Sequence, residues 1–261
     1  MGLGFVELEF NILYMTKTVL FLFFLFIGLL GAIVFYFRPS VKRHVKPGDP
    51  WELAKSYEVR GLDLSHWNGR VIYDGLDSLD FVFLKVTEGD DRIDDTFEQH
   101  YEAFRERDIP VGAYHFFRFD VDGKEQAQHF LKQSDGRRLQ LPLVIDVEQH
   151  GNISVAQEKV KNRLRAFMKE LKKHAKHQPI IYTNGDGYRD FIEEDFGNHT
   201  LWLSSTNAWR PTMMDCTFWQ FNIDADLMAI THRADLNVFR GSREEWDEYL
   251  AEHKPYVISM N

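Results

Sequence analysis

Short apolar runs alternate with amphipathic segments through most of this chain, and that alternation constrains the fold more than any other sequence feature. Strands that alternate with helices build a parallel sheet with the helices outside it. The last three runs are closely spaced and leave little room for helices between them. The pattern predicts an α/β fold, a closed TIM-like barrel that is irregular in its last third. The eight predicted strands cover 59–63, 81–86, 111–116, 143–147, 179–183, 201–204, 217–221 and 234–239.

Helix signals separate or follow these strands. In the clearest case, Ser154 and Gln157 form a capping-box pattern before apolar residues at helical spacing. The same pattern in Ser242 and Glu245 predicts the start of the last helix. The predicted helices cover 95–107, 124–133, 154–175, 188–194 and 242–249.

The N-terminal region contains an uncharged run of 20 residues, from 18 to 37, made mostly of Leu, Phe, Ile and Val. At about 1.5 Å per residue it spans roughly 30 Å, the thickness of a bilayer's hydrocarbon core. The run therefore predicts a single transmembrane helix over 18–37, which makes the membrane an expected partner. A buried soluble helix and a cleaved signal peptide are the alternatives. Against the signal peptide, the run is long and no A-x-A-like site follows it.

The predicted organisation has five parts. A short N-terminal segment (1–17) precedes the transmembrane helix (18–37), and a tether (38–58) with Pro and Gly residues leads to the barrel (59–253) and a C-terminal tail (254–261). The sequence from Met15 to Thr18 also resembles a natural start, so Met15 is an alternative to Met1 as the expected first residue.

The formal net charge is −9, and it is unevenly distributed. Five basic and two acidic residues give 1–46 a charge of +3, so the rest of the chain carries −12. This acidic body argues against a general nucleic-acid binder, and no nucleic-acid partner is expected. Cys216 is the single cysteine, which excludes an intramolecular disulfide framework.

Acidic residues lie at the strand ends where a parallel barrel builds its active site. Asp63 ends the first strand, Glu88 follows the second, and Asp235 lies at the start of the eighth. Asp146 and Glu148 follow the fourth, and side chains two residues apart on a strand point to the same face. Adjacent like charges raise one pKa, so one acid stays protonated beside an ionised neighbour, as glycosidic cleavage requires.

Aromatic and amide side chains accompany these acids. Tyr114 ends the third strand and Tyr182 the fifth, while Trp202 and Gln220 lie in the sixth and seventh. Aromatic faces stack on sugar rings, and Tyr and Gln donate hydrogen bonds, so the four are candidate substrate-binding residues. For any one of the aromatic residues, core packing is the alternative interpretation.

Metal-ligand patterns are weak in this chain. It has 11 His but no H-x-x-x-H or H-E-x-x-H pair, so neither a metal nor another cofactor is predicted. A metal-dependent hydrolase that uses Asp63, Asp146 and Glu148 stays open as an alternative.

Between about residues 60 and 239, the order and spacing of several motifs resemble the family 25 glycoside hydrolases, which are peptidoglycan muramidases of the lysozyme type. The motifs are Gly61-Leu-Asp-Leu-Ser-His-Trp-Asn-Gly69, Leu84-Lys-Val-Thr-Glu-Gly89, Gly112-Ala-Tyr-His-Phe-Phe117, Leu143-Val-Ile-Asp-Val-Glu148, Ile180-Ile-Tyr-Thr183, Leu201-Trp202, Trp219-Gln220 and Asp235-Leu-Asn-Val-Phe239. The resemblance implies an irregular barrel of five β/α units and three further strands. It also implies hydrolysis of the β-1,4 bond between N-acetylmuramic acid and N-acetylglucosamine in peptidoglycan glycan strands.

The resemblance implies roles for the acids as well. Glu148 would be the general acid, and Asp146 would polarise the substrate's own N-acetyl group, whose oxygen attacks the anomeric carbon. Such substrate assistance is a recognised exception to the two-carboxylate scheme. Asp63 and Asp235 would line the same acidic active-site cleft. The candidate catalytic residues are thus Glu148, Asp146 and Asp63, and the candidate substrate-binding residues are Asp235, Tyr114, Tyr182, Trp202, Gln220 and Glu88.

The alternative function is a non-catalytic barrel that binds cell-wall glycans. Such a binder can lose Glu148 or Asp146, and this sequence keeps both. Because peptidoglycan lies outside the cytoplasmic membrane, we expect the barrel on the extracytoplasmic side. The sequence leaves the oligomeric state open, and a monomer is the expectation. The cations that follow the predicted span favour the opposite orientation, but large domains translocate regardless of such charges. Secretion after cleavage is the alternative localisation.

Overall fold

The computed structural model describes residues 48–207 and 215–260. The predicted N-terminal segment 1–17, the predicted transmembrane helix 18–37 and the first part of the predicted tether lie outside the described residues. Within the described ranges, no helix has both the length and the apolar character needed to cross a bilayer.

All eight predicted strands are present, together with three two-residue strands that the sequence pattern did not indicate. The strands are β1 (Arg60–Leu64), β2 (Phe81–Glu88), β3 (Arg92–Ile93), β4 (Val111–Phe116), β5 (Arg138–Leu139), β6 (Val144–Asp146), β7 (Ile180–Asn184), β8 (Leu201–Ser204), β9 (Phe218–Ala225), β10 (Ala234–Phe239) and β11 (Tyr256–Val257). The barrel order is β1-β2-β4-β6-β7-β8-β9-β10, and β10 pairs back to β1 to close it. The structure thereby confirms the predicted closed barrel.

One of the eight barrel strands runs antiparallel to the other seven. β1, β2, β4, β6, β7, β8 and β9 are parallel, whereas β10 is antiparallel to both of its neighbours. The expectation of a wholly parallel sheet is therefore wrong in its last strand. The connection 226–233 is too short for a parallel crossover, which needs a dozen or more residues. As a consequence, the start of β10 lies level with the C-terminal end of β1, and Asp235 pairs directly opposite Asp63.

The five predicted helical regions are all present. The helices are α1 (Phe97–Arg105), α2 (Gly123–Ser134), α3 (Gln157–Leu171), α4 (Gly185–Gly187), α5 (Glu193–Phe196) and α6 (Arg243–Glu252), with a π-helical turn (Tyr188–Ile192) between α4 and α5 and single 3-10 turns at Glu52–Ala54, His66–Asn68 and Tyr73–Gly75. Ser242 and Glu245 form the predicted capping box. The capping box predicted at Ser154 is wrong, because α3 begins after Ala156 and the Gln157 side chain donates to the Asp190 carbonyl instead.

Large side chains fill the barrel interior toward the N-terminal ends of the parallel strands. Phe83 stacks on Trp202 with ring centroids 4.4 Å apart, and Trp246 of α6 packs onto the same cluster. Gly61 and Gly112 face this cluster, and a Cβ at either position would collide with a phenylalanine ring. These two glycines therefore make room for the interior aromatics, so the barrel is a packed core that supports a site at one end.

Residues at both edges of the predicted barrel domain pack onto the barrel. The Trp51 ring lies 5.6 Å from the Phe221 ring, and Ala54 is fully buried. At the other end, β11 pairs with β5 and Ile258 is fully buried. Residues 51–58 of the predicted tether and 256–258 of the predicted tail thus pack against the barrel through their apolar side chains. The packed domain is longer at both ends than the predicted 59–253.

Candidate active site

A cleft of about 730 Å³ opens where the C-terminal ends of the parallel strands meet. All nine residues that the sequence analysis singled out line this cleft, so the structure brings the whole predicted set together. They are Asp63, Glu88, Tyr114, Asp146, Glu148, Tyr182, Trp202, Gln220 and Asp235.

The two-residue period of the strands explains why these side chains converge. On each strand, one inward position faces the packed interior and the next inward position faces the cleft. The successive inward positions are Gly61 and Asp63 in β1, Phe83 and Lys85 in β2, Gly112 and Tyr114 in β4, Val144 and Asp146 in β6, Ile180 and Tyr182 in β7, and Phe218 and Gln220 in β9. The core and the site are thus built from the same rows of residues.

Asp63 is held by two buried amides and a second carboxyl. Its Oδ2 accepts hydrogen bonds from Gln220 Nε2 at 2.9 Å and Asn237 Nδ2 at 2.7 Å. Burial raises the pKa of Asp63 to about 6, although these hydrogen bonds oppose the rise. Burial and the facing Asp63 carboxylate raise the pKa of Asp235 to about 9. Asp235 therefore retains its proton and donates a hydrogen bond to Asp63, which carries the charge of the pair.

Further hydrogen bonds fix the orientation of the two amides. The Tyr182 hydroxyl and the Ser204 hydroxyl donate to Gln220 Oε1 at 2.8 and 2.7 Å. Trp202 Nε1 donates to Asn237 Oδ1 at 2.8 Å. With both carbonyl oxygens engaged in this way, both NH₂ groups point at Asp63.

Asp146 and Glu148 face the same cleft in different surroundings. Asp146 is buried, and its Oδ1 has no hydrogen-bond partner among the described residues. Burial and the neighbouring Glu148 carboxylate raise the pKa of Asp146 well above its ordinary value. Burial also raises the pKa of the half-buried Glu148 to about 7, while nearby His150 opposes the shift. Glu148 can thus hold a proton near neutral pH.

A side chain outside the predicted set fixes the segment that carries Glu148. Asn152 Nδ2 donates to the main-chain oxygens of Glu148 and Phe117 at 2.9 and 3.0 Å. Its Oδ1 accepts from the Phe119 main-chain nitrogen at 2.8 Å. Asn152 therefore ties the segment after β6 to the segment after β4.

Glu88 reaches the cleft because β2 is bulged. The register shifts between Lys85 and Thr87, so Lys85 and Glu88 both face the cleft although they lie three residues apart. The Glu88 carboxylate accepts from Lys85 at 2.9 Å, Arg92 at 2.9 Å and Arg118 at 3.1 Å. Burial raises the pKa of Glu88, but the three cations outweigh it and the net pKa is lowered.

The aromatic side chains differ in what they can offer a sugar. Trp202 is only 2% exposed and stacks on Phe83, so its ring faces belong to the core. Tyr182 is also buried, whereas Tyr114 is partly exposed. Trp67, which follows β1, lines the cleft with 73% of its surface exposed. The aromatic face that is open to a ligand thus comes from Trp67.

Sequence reasoning missed Lys85, Asn152 and Asn237 as parts of this site. Asn237 carries a usable signal, because it lies two residues after Asp235 on one strand and so shares its face. Lys85 lies two residues after Phe83 on one strand, so the same two-residue period places both side chains on the inward face of β2. Asn152 lies in an irregular segment, where periodicity gives no information.

A carboxyl with its pKa raised to about 7 beside a second buried carboxyl, at one end of a closed α/β barrel, is an arrangement that glycoside hydrolases use for acid catalysis. Within the described ranges, no group of three or more His, Cys, Asp and Glu side chains is arranged to hold a metal ion. The family model of the glycosyl hydrolases family 25 matches residues 62–228. The chain belongs to this family and is a glycoside hydrolase of the lysozyme type.

The chain is similar to three proteins, two of which are named as a lysozyme or a family 25 glycosyl hydrolase. The uncharacterized protein YegX of Escherichia coli is 28% identical over 248 residues, which cover 91% of this chain and 88% of the relative. Lysozyme M1 of Streptomyces globisporus is 26% identical over 208 residues, 72% of this chain and 70% of that protein. A family 25 glycosyl hydrolase from Bacillus anthracis superposes with a TM-score of 0.66 at 29% identity, covering 74% of this chain and 94% of that one.

Proposed function

We propose that this chain cleaves the β-1,4 bond between N-acetylmuramic acid and N-acetylglucosamine in peptidoglycan, with Glu148 as general acid and Asp146 assisting the substrate's N-acetyl group. The observation that carries the proposal is the placement of both carboxyls on one cleft, with the pKa of Glu148 raised to about 7. Family membership and the similarity to lysozyme M1 support peptidoglycan as the substrate.

Asp146 prepares the internal nucleophile. Its buried Oδ1 has no hydrogen-bond partner among the described residues, and an amide N–H of the substrate supplies one. Donation from that N–H stabilises the carboxylate over the carboxylic acid, so substrate binding favours ionised Asp146. The carboxylate then orients and polarises the N-acetyl group so that its carbonyl oxygen attacks the anomeric carbon.

Glu148 donates a proton in the first step and accepts one in the second. As the bond between the anomeric carbon and the glycosidic oxygen breaks, Glu148 donates its proton to that oxygen. The acetyl oxygen takes the vacated position, and a cyclic oxazolinium ion forms. Water then attacks the same carbon, reopens the ring and gives a proton to the Glu148 carboxylate, which restores the starting state.

The remaining cleft residues support these two steps. Asp63 places a negative charge near the anomeric carbon, where positive charge develops. Gln220 holds Asp63 in place and depends in turn on Tyr182. Of the residues predicted to bind substrate, Tyr114, Glu88 and Asp235 are proposed to contact the sugars. The buried Tyr182, Trp202 and Gln220 are proposed to act through the hydrogen bonds that hold Asp63 and Asn237.

Release of reducing ends from purified peptidoglycan by the full chain tests the proposal. The wild-type chain is expected to release them with EDTA present, because no step uses a metal ion. Glu148→Gln should abolish release while binding to peptidoglycan survives, and Asp146→Asn should weaken release strongly. Glu106→Gln changes an exposed glutamate on the outer face and serves as the matched control.

Two outcomes would contradict the proposal. If the wild-type chain binds the wall but releases no reducing ends, the barrel is a non-catalytic glycan binder. If EDTA abolishes release, the carboxylates act as ligands of a catalytic metal ion.

We also propose that residues 18–37 anchor the chain in the membrane and that the barrel faces the extracytoplasmic side. The uncharged run and the location of peptidoglycan support this arrangement. Protease added to spheroplasts should digest the barrel, and a protected barrel would contradict the proposal. A chain released into the medium with a new N-terminus would instead indicate secretion after cleavage.

A further inference from the structure

Three cations converge on one carboxylate at the edge of the cleft. Lys85, Arg92 and Arg118 all donate to Glu88, whose side chain is only 15% exposed. Asp120 Oδ1 lies 3.5 Å from Arg118 Nε and offsets a second positive charge. Three cations against two carboxylates leave one positive charge in excess. This cation cluster therefore differs in sign from the rest of the cleft, which acids line.

Arg92 is the member of the cluster that a ligand can reach. Its side chain is 66% exposed, and it lines the cleft from the two-residue strand β3. Its hydrogen bond to Glu88 uses one of the five N–H donors of a guanidinium. Because those donors form a planar fork, Arg92 is suited to pair with a further carboxylate. Glu88 holds the arginine in place without neutralising the cluster.

A side pocket of about 320 Å³ branches from the cleft at this cluster, near the lower end of the usual size range of ligand sites. It shares Trp67, Lys85, Glu88 and Arg92 with the cleft. Trp67 lines both spaces and packs on His66 with ring centroids 4.5 Å apart. Ile93, which is 55% exposed, adds a second apolar wall. The buried Asp94 and the exposed Asp95 also line this pocket. The pocket thus combines apolar surface with one accessible cation and one accessible carboxylate, the two charges that a peptide with free amino and carboxyl groups pairs with.

We propose that this side pocket receives the peptide that branches from the lactyl ether of muramic acid, and that Arg92 pairs with a carboxylate of that peptide. When a peptide is attached, the lactyl carboxyl is used in the amide bond, so the sugar backbone itself carries no charge. An exposed arginine between apolar walls therefore matches the peptide better than it matches a sugar. The inference rests on the proposed function, since it names the form of the glycan that the same site prefers.

The test compares kcat/KM on peptide-bearing glycan strands with kcat/KM on strands whose peptides an amidase has removed. The wild-type full chain should prefer the peptide-bearing strands. Arg92→Ala should reduce that preference by about two- to fivefold, the usual worth of a solvent-exposed ion pair. Arg189→Ala changes an arginine with a 62% exposed side chain that also pairs with nearby acids, and it should keep the preference.

The outcomes separate this inference from the proposed function. Equal efficiency of the wild-type chain on both glycans, or an unchanged preference in Arg92→Ala, overturns the peptide pocket alone. A larger loss on the amidase-treated strands in Arg92→Ala assigns the arginine to the lactyl carboxylate, which is free only there, and also overturns the peptide pocket. An equal loss on both glycans assigns the arginine to the sugar backbone and overturns it as well. If the wild-type chain cleaves neither glycan, the proposed function fails and this inference fails with it.

Discussion

Asn152→Ala perturbs the site without touching a group that handles a proton. The Asn152 amide joins three main-chain groups, those of Glu148, Phe117 and Phe119, at 2.9, 3.0 and 2.8 Å. Alanine leaves all three groups without this partner. The change should therefore loosen the two segments that carry one wall of the cleft, including the main chain of the proposed general acid.

The size of the effect follows from the three hydrogen bonds. Each contributes about 0.5–1.5 kcal/mol net, so Asn152→Ala should lower the free energy of unfolding by about 2–4 kcal/mol. With an m-value of about 2–3 kcal/mol/M, the urea midpoint falls by roughly 1 M. A displacement of the Glu148 carboxyl by about 1 Å costs up to about a hundredfold in rate, so kcat should fall roughly ten- to a hundredfold while KM changes little.

Urea unfolding followed by fluorescence gives the midpoint, and reducing-end release well below that midpoint gives kcat and KM. Asn198→Ala, at an exposed asparagine, is the control and should leave all three quantities unchanged. An Asn152→Ala chain with the wild-type urea midpoint and the wild-type kcat would refute the reasoning. A lowered midpoint with unchanged kcat would show that Asn152 stabilises the barrel without positioning Glu148.

Three further predictions concern the cleft and the helical layer. Because Glu148 must be protonated to act as an acid, kcat/KM should fall above about pH 7, and a rate that stays constant to pH 9 would contradict its role. His150→Ala removes a neighbour that lowers the pKa of Glu148, so the alkaline limb should move to higher pH; a shift to lower pH would contradict this coupling. A Cβ at Gly123 would collide with the Arg163 carbonyl, so Gly123→Ala should cost roughly 1–3 kcal/mol of unfolding free energy. Gly48→Ala has open space and should cost far less, so equal urea midpoints for the two variants would contradict this packing.

The strands were predictable because each carries enough residues to show a buried pattern. The three two-residue strands, such as β3 at Arg92–Ile93, are too short to show any period. The direction of β10 depends on a connection of only eight residues, a length that argues against a parallel crossover. The capping box at Ser154 failed because a tertiary contact of Gln157 displaced a local one.

The composition of the cleft was predictable for the same reason, since alternation places Asp63, Asp146 and Gln220 on inward faces. The partners of these residues were not all predictable. The cluster around Glu88 depends on a bulge after Lys85, which changes the face of every later residue in β2. The exposure of Trp67 and the burial of Trp202 depend on packing that no local pattern reports.

The chemical identity of the new chain end tests the central claim most directly. Purified peptidoglycan is digested with the full chain, reduced with borohydride and hydrolysed, and the terminal amino-sugar alcohol is identified by mass spectrometry. Cleavage as proposed yields muramitol, because the bond broken lies at the anomeric carbon of N-acetylmuramic acid, and the yield should vanish in Glu148→Gln. Glucosaminitol would contradict the account by placing the cut at the other glycosidic bond, and a wild-type digest with no new reducible end would contradict hydrolysis altogether.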